Sequence, residues 1–207
     1  MDLKLKDRVA LITGSGQGIG RTIALALAAE GVRIAVNDVN TKAIEETVAL
    51  VRQAGAAALA APCDITDLAA VREMARKVEA EFGRIDILVN NAAVLLAHEL
   101  FLETKPEDCD KEIKVTLYGA MNCARAILPG MAKRKFGKMI NIVTDAARVG
   151  QERQCNYSAA KGGVISFTKS LAKEVGRDNI NVNAISPGAT NSPMRQEMLR
   201  QLTEKIG

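Results

Sequence analysis

Thr13-Gly14-Ser15-Gly16-Gln17-Gly18-Ile19-Gly20 joins two patterns of different period. Before it, Arg8–Thr13 is a short apolar run that reads as a strand. After it, Gly18 to Glu30 is an amphipathic stretch that reads as a helix closed by Gly31. Glycines let a backbone turn tightly and approach a pyrophosphate closely. The following helix offers free N–H groups and the positive end of its dipole to the same phosphates. The spacing is T-G-x-x-x-G-x-G and not G-x-G-x-x-G, because Ile19 stands where the last glycine would fall. Gly14, Gln17, Gly18, Ile19 and Gly20 are therefore the candidate phosphate cradle. A plain strand-to-helix turn is the alternative.

The alternation continues outward from this turn. Strands are expected at Val32–Val36, Ala56–Ala61, Ile85–Val89, Lys138–Val143 and Ile180–Ile185. Helices are expected from Thr41, as cap, to about Ala54, then over Asp67–Phe82, Glu107–Ala132, Asn156–Gly176 and Pro193–Ile206. Strict β-α alternation implies a parallel sheet with helices on both faces, wound by right-handed crossovers into a doubly wound, Rossmann-type α/β fold. No repeat or low-complexity linker divides the 207 residues, so residues 1–207 are read as a single domain. Ligands on such sheets bind beyond the carboxyl ends of the strands. Gly14, Asp38, Asp64, Asn90, Thr144 and Pro187 all fall just past an expected strand.

Composition narrows the functions. The chain is 48% hydrophobic and 25% charged, with only 3% aromatic residues and no Trp. Its core must be built from Ala, Val, Ile and Leu. A formal charge of +4 suits an anionic cofactor or an acyl thioester on an acidic carrier, and equally suits solubility alone. Nucleic acid is not an expected partner, because there is no long basic stripe and few aromatics could stack on bases. Cys63, Cys109, Cys123 and Cys155 form no C-x-x-C pair and no metal-ligand cluster with the one histidine, His98, so no metal is expected. Reduced thiols, no membrane-spanning run and no apolar stretch in Met1-Asp2-Leu3-Lys4-Leu5-Lys6 point to a cytoplasmic protein.

Two constellations carry chemistry. Asp38 lies eighteen residues past Gly20, at the tip of the second strand. A carboxylate there can accept hydrogen bonds from both ribose hydroxyls of an adenosine half and repels a 2′-phosphate. The neighbouring Asn37 and Gln17 are not basic, so the expected cofactor is NAD, with NADP disfavoured. Asp38 could also merely open a turn before Asn40. Tyr157 and Lys161 stand four apart on an expected helix and share one face. A free phenol titrates near ~10, and a nearby ammonium would favour its phenolate. Such a tyrosine can give a proton to a carbonyl oxygen, or take one from an alcohol.

The glycine pattern, Asn90-Asn91-Ala92-Ala93, Tyr157-x-x-x-Lys161 and Pro187-Gly188 together resemble the short-chain dehydrogenase/reductase family, in order and over nearly the whole chain. The resemblance implies NAD(P)-linked hydride transfer between a secondary alcohol and a ketone. It further implies that Asp64, with Ile65 beside it, contacts adenine and that Asn90 lies by the ribose. Pro187, Gly188, Thr190 and Ser192 would hold the nicotinamide carboxamide. Lys161 would also bond the nicotinamide ribose. Thr144, thirteen residues before Tyr157, stands where the family has a serine that bonds the substrate oxygen. Thr116 stands where it has an asparagine that anchors a water of the proton relay. Ala93 replaces the last glycine of N-N-A-G. The candidate catalytic set is thus Thr116, Thr144, Tyr157 and Lys161.

The same resemblance implies a homodimer or homotetramer. Thr144-Asp145-Ala146-Ala147-Arg148-Val149-Gly150 is similar to hydroxyacyl-coenzyme-A dehydrogenases of the family, which makes hydroxyacyl or oxoacyl thioesters the first substrate choice, with other small alcohols open. Gln151, Arg153 and Gln154 fall where the family builds its substrate wall. Arg148, Arg153 and the Lys133–Lys138 cluster could meet an acidic carrier. Family members usually continue past Pro193-Met194 with further lid, helix and seventh strand, so the seventh strand is expected to be missing here. The competing readings are a dinucleotide-binding module with little turnover, and a scaffold that binds no dinucleotide.

Overall fold

The computed structural model describes residues 3–96 and 98–206, without the side chains of residues 202 and 204–206. Met1 and Asp2, which begin the N-terminal stretch read above, lie outside them. Six parallel strands form one sheet: β1 (Val9–Ile12), β2 (Arg33–Val36), β3 (Ala58–Ala60), β4 (Ile87–Asn90), β5 (Gly137–Ile142) and β6 (Ile180–Ile185). Their order is β3-β2-β1-β4-β5-β6, the doubly wound arrangement. The order reverses between β1 and β4, so a crevice opens at their carboxyl ends.

Alternation along each strand divides the core into two layers. Val9 and Leu11 of β1 face a layer built with α3 (Leu68–Phe82), α5 (Gly119–Arg134) and α7 (Cys155–Val175). Ala10 and Ile12 face the other layer, with α1 (Gly18–Ala29) and α2 (Thr41–Gln53). The buried residues of α1 are Gly20, Ala24 and Ala28, so this helix lies close on the sheet and brings its N-terminus to the crevice.

Element ends shift from expectation for local reasons. Asn40, not Thr41, caps α2, with its side chain accepting from Ala43 N at 3.1 Å. Asp67 caps α3 by accepting from Ala69 N and Ala70 N. Gly83, at φ +80°, ends α3 in the left-handed region. The helix expected over 107–132 is interrupted. It runs as α4 (Pro106–Ile113), one π-helical segment at Lys114–Tyr118, then α5. Such segments concentrate at functional sites. A short α6 (Ala146–Val149) lies between β5 and α7, and α8 (Pro193–Ile206) follows β6. The outward residues of the edge strand β6 are exposed, and Ile185 is half-exposed. Among the described residues, no helix is long and apolar enough to cross a membrane, and no group of three or more His, Cys, Asp or Glu could hold a metal.

Candidate active site

A cavity of about 740 Å³ opens at the carboxyl ends of the strands. This is the size of a cofactor site. Its walls hold Gly14, Gln17, Gly18, Ile19, Asp38, Asp64 and Ile65 at one side. Thr144, Tyr157 and Lys161 line it too, as do Pro187, Gly188, Thr190 and Ser192. Three residues of the expected set do not line it: Gly20, Asn90 and Thr116.

The glycine loop fits two phosphates. Gly14 (φ +61°) and Gly18 (φ +57°) occupy the left-handed region, which glycine adopts freely. A Cβ on Gly16 would stand 2.8 Å from Asp38 Oδ2 and 2.9 Å from Ala43 Cβ. No side chain caps the N-terminus of α1, so its free N–H groups face the cavity. The loop is clamped from behind. Gly16 N donates to Asp38 Oδ2 (3.1 Å), while Thr47 Oγ1 (3.1 Å) and Arg21 Nε (2.9 Å) donate to Gly16 O. Asn91 Nδ2 donates to Thr13 O and Gly14 O. Gly20 allows this close packing: a Cβ on it would fall 2.6 Å from Asn91 Nδ2 and 2.8 Å from Ser15 Cα. Thr13 Oγ1 accepts from Asn91 N and Ala92 N, tying β1 to the segment after β4.

Asp38 opens the turn before Asn40 and also holds the glycine loop. Oδ1 accepts from Val39 N and Asn40 N, which makes the turn, and Oδ2 holds Gly16. A carboxylate has about four acceptor sites, so room remains for a ribose hydroxyl. The residues present therefore fit a nicotinamide dinucleotide: Gly14, Gln17, Gly18 and Ile19 would hold its phosphates, and Asp38, Asp64 and Ile65 its adenosine half.

Asn90 does not line the cavity, and its buried Oδ1 has no hydrogen-bond partner. Its Nδ2 donates to Asn141 Oδ1, Asn141 Nδ2 donates to Thr168 Oγ1, and Thr168 Oγ1 donates to Val164 O, at 2.7–2.8 Å. Asn90 and Asn141 are register partners, so this buried ladder bolts α7 to the sheet behind the reacting face. Asn141 and Thr168 escaped the sequence reading, although Asn141 is a polar residue inside an apolar strand. Thr116 lies within the π-helical segment, 1% exposed, and its Oγ1 has no protein partner. It sits behind the cavity wall formed by Val115.

Lys161 is 3% exposed, and its Nζ donates to Ile142 O at 2.5 Å. Burial pulls its pKa down to about 8. Nζ lies 5.8 Å from the centroid of the Tyr157 ring. The expected lowering of the phenol is not seen. Burial and the negative charge of Glu112 together push Tyr157 up to about 12. The phenol is thus a proton donor at neutral pH, and accepting a proton requires further positive charge in the cavity. Thr144 Oγ1 accepts from Ala146 N at 3.3 Å, which starts α6 and leaves the hydroxyl proton to donate elsewhere.

The wall expected from Gln151, Arg153 and Gln154 is formed instead by Val94, Leu95, Met194 and Met198, with Lys111 and Arg195 adding positive charge. Gln154 acts one step back, donating to Met198 Sδ at 3.6 Å. His98 is part-buried and does not line the cavity. Cys63 lines it, but burial and nearby Asp64 raise its thiol to about 11, so it is no nucleophile at neutral pH. The Lys133–Lys138 cluster runs into the start of β5 and so lies at the opposite end of the sheet from the cavity. Lys135 pairs with Asp178, and Arg148 and Arg153 with Asp145 and Glu152. None of these is a free cation at the cavity mouth.

This fold and this cleft define a dinucleotide-linked oxidoreductase, and residues 8–203 match the short chain dehydrogenase family model. The chain belongs to that family and is an NAD(P)-dependent oxidoreductase acting on CH–OH groups. It is 38% identical to a 3-oxoacyl-(acyl-carrier-protein) reductase of Synechocystis sp., over 94% of this chain and 78% of the relative. It is also 38% identical to a hydroxy(phenyl)methylsuccinyl-CoA dehydrogenase subunit of Thauera aromatica, over 98% and 85%. An NAD+-bound xylitol dehydrogenase structure superposes with a TM-score of 0.94 at 33% identity, over 99% of this chain and 78% of that one.

Proposed function

We propose that the chain uses NAD, in preference to NADP, to interconvert a hydroxyacyl and an oxoacyl thioester. The observation that carries the chemistry is that Thr144, Tyr157 and Lys161 line the same cavity as the glycine loop and Asp38. Bound nicotinamide would supply or accept the hydride. Tyr157 then protonates the carbonyl oxygen during reduction, or takes the alcohol proton during oxidation. Thr144 Oγ1 donates to the same oxygen and orients it. Lys161 anchors the ribose and returns the proton to Tyr157. Pro187, Gly188, Thr190 and Ser192 hold the carboxamide, and Thr116 supports the helix behind.

NAD specificity rests on Asp38 and on Arg21. Arg21 is the cation nearest this end of the loop in sequence, and it is engaged with Gly16 O, Thr47 and Glu46 (3.0 Å). A thioester is favoured by the apolar wall of Val94, Leu95, Met194 and Met198 set beside Lys111 and Arg195. The names of the two sequence relatives agree with an acyl substrate. The chain acts as one domain, in the cytoplasm, as a homodimer or homotetramer. A dinucleotide-binding module without turnover is not favoured, since Thr144, Tyr157 and Lys161 share one cavity with the glycine loop.

The test is a turnover screen that follows the nicotinamide absorbance with oxoacyl and hydroxyacyl thioesters, xylitol and simple ketones, with NAD(H) and NADP(H) in parallel. The expected result is highest kcat/KM with a thioester and NAD(H). Equal use of both cofactors would contradict the role of Asp38, and preference for a sugar alcohol would contradict the acyl assignment.

A further inference from the structure

Thr47 is fully buried, on the face of α2 that also buries Ile44, Val48 and Val51. A hydroxyl in such an apolar layer is costly unless it is bonded. Inside a helix its usual partner is the carbonyl four residues back. Thr47 Oγ1 reaches out instead, donating to Gly16 O at 3.1 Å. It also accepts from Arg21 Nε at 2.9 Å, and the same N–H is shared with Gly16 O at 2.9 Å. Arg21 Nη2 donates to Gly16 O as well, and pairs with Glu46 Oε2 at 3.0 Å. Side chains of α1 and α2 thus converge on one glycine carbonyl.

On its other side, Gly16 N donates to Asp38 Oδ2 at 3.1 Å. The two groups lie so close that a Cβ on Gly16 would fall 2.8 Å from that oxygen. Asp38 Oδ1 is held separately by its own turn, through Val39 N and Asn40 N. The aim of Oδ2 therefore depends on Gly16. Glycine turns more freely than any other residue, and bonding its N–H and its C=O together removes that freedom. Asp38 lines the cavity, whereas Gly16, Arg21, Glu46 and Thr47 do not, so the clamp works from behind the cofactor wall.

We propose that Thr47 is a positioning residue for cofactor choice: with Arg21 it fixes Gly16, Gly16 fixes the Asp38 carboxylate, and the fixed carboxylate accepts a ribose hydroxyl and repels a 2′-phosphate. The inference rests on the reading of Asp38 as the group that selects NAD over NADP. A carboxylate free to swing loses part of its bond to the ribose and carries its charge away from a 2′-phosphate. Both effects lower the discrimination between the two cofactors. A clamp that merely stiffened the loop would act on both cofactors alike, because they share the diphosphate.

The test compares Kd for NADH and NADPH, read from nicotinamide fluorescence, in the parent protein and its variants. The parent is expected to bind NADH at least about tenfold more tightly, since like charges in contact cost more than that factor. Thr47→Val keeps the shape of the side chain and removes the hydroxyl. It is expected to lower the selectivity for NADH by about tenfold, the effect of one lost hydrogen bond to a charged group. Thr47→Ser keeps the hydroxyl and should restore the parental ratio. Should the Val variant fail to fold, Arg21→Met tests the same clamp. It removes the guanidinium, so the fall in selectivity expected there cannot come from a freed cation reaching the 2′-phosphate. An unchanged ratio, an equal rise of both Kd values, selectivity kept in Arg21→Met, or no rescue by Thr47→Ser would each overturn the proposal. A parent that binds both cofactors equally would overturn the reading of Asp38 itself, and that result stands before any variant is compared.

Discussion

At the scale of the residue, burial sets the chemistry of the site. Lys161 titrates at about 8 in the fold against 10.5 when unfolded, so the unfolded chain binds more protons between those values. This group's contribution to stability therefore rises as pH increases from about 8 to about 10.5. Below that window a buried ammonium costs about 3 kcal/mol, the worth of the shift at 1.36 kcal/mol per unit. Replacing it by an apolar side chain of similar length should relieve that cost. Lys161→Met is accordingly expected to lose turnover yet gain up to about 3 kcal/mol in denaturant unfolding at pH 7, with most of the gain gone at pH 10. A loss of stability at pH 7 would show that the bond to Ile142 O outweighs the buried charge. Tyr157 has the opposite sign, since its folded value of about 12 exceeds 10.0. Its contribution is present below about pH 10 and lost between 10 and 12. Thr144→Ser should keep activity within about tenfold, since the hydroxyl remains, whereas Thr144→Val should lower kcat by about 10²-fold or more, as for loss of one donor to a reacting oxygen.

At the scale of the element, the clamp on the glycine loop and the ladder behind α7 decide whether those residues converge. Gly20→Ala would drive a methyl group into Asn91 and Ser15. The expected result is an NADH Kd raised about tenfold or more with a smaller effect on Tm, measured by fluorescence titration and thermal unfolding. Asn141→Ala would strand Asn90 Nδ2 and Thr168 in the core, and is expected to destabilise by about 1–3 kcal/mol in chemical unfolding. Much of this architecture was readable beforehand. The strand-glycine-helix turn, the alternation and the four-residue spacing of Tyr157 and Lys161 are local patterns. They placed most of the cavity wall. The ladder Asn90–Asn141–Thr168 was not readable, because it joins residues 51 and 27 apart in sequence that meet only once the sheet has formed. The π-helical segment at Lys114–Tyr118 was hidden because residue propensity does not separate its i→i+5 bonding from the i→i+4 bonding of an ordinary helix.

At the scale of the whole molecule, the sheet gathers everything reactive at one end. The basic cluster at Lys133–Lys138 shows the limit of reading charge from sequence: it is dense along the chain yet lies at the far end of β5. Besides Lys161, Lys111 and Arg195 are the cations that line the cavity, and neither belongs to a basic cluster in sequence. The net charge of +4 therefore says little about where an acyl carrier or coenzyme would dock, and the position of two side chains says more. Lys111→Glu combined with Arg195→Glu should raise KM for an acyl thioester while leaving KM for a small uncharged ketone unchanged, and high salt should reproduce the first effect. An equal rise for both substrates would mean that the two cations serve the dinucleotide.

The central claim is that one cleft both holds the dinucleotide and moves a proton through Tyr157. Tyr157→Phe removes only the phenolic hydroxyl. Stopped-flow mixing of this variant with NADH and an oxoacyl thioester should show dinucleotide binding with the affinity of the parent protein and hydride transfer slowed by about 10³-fold or more. Hydride transfer at the parental rate would contradict the account.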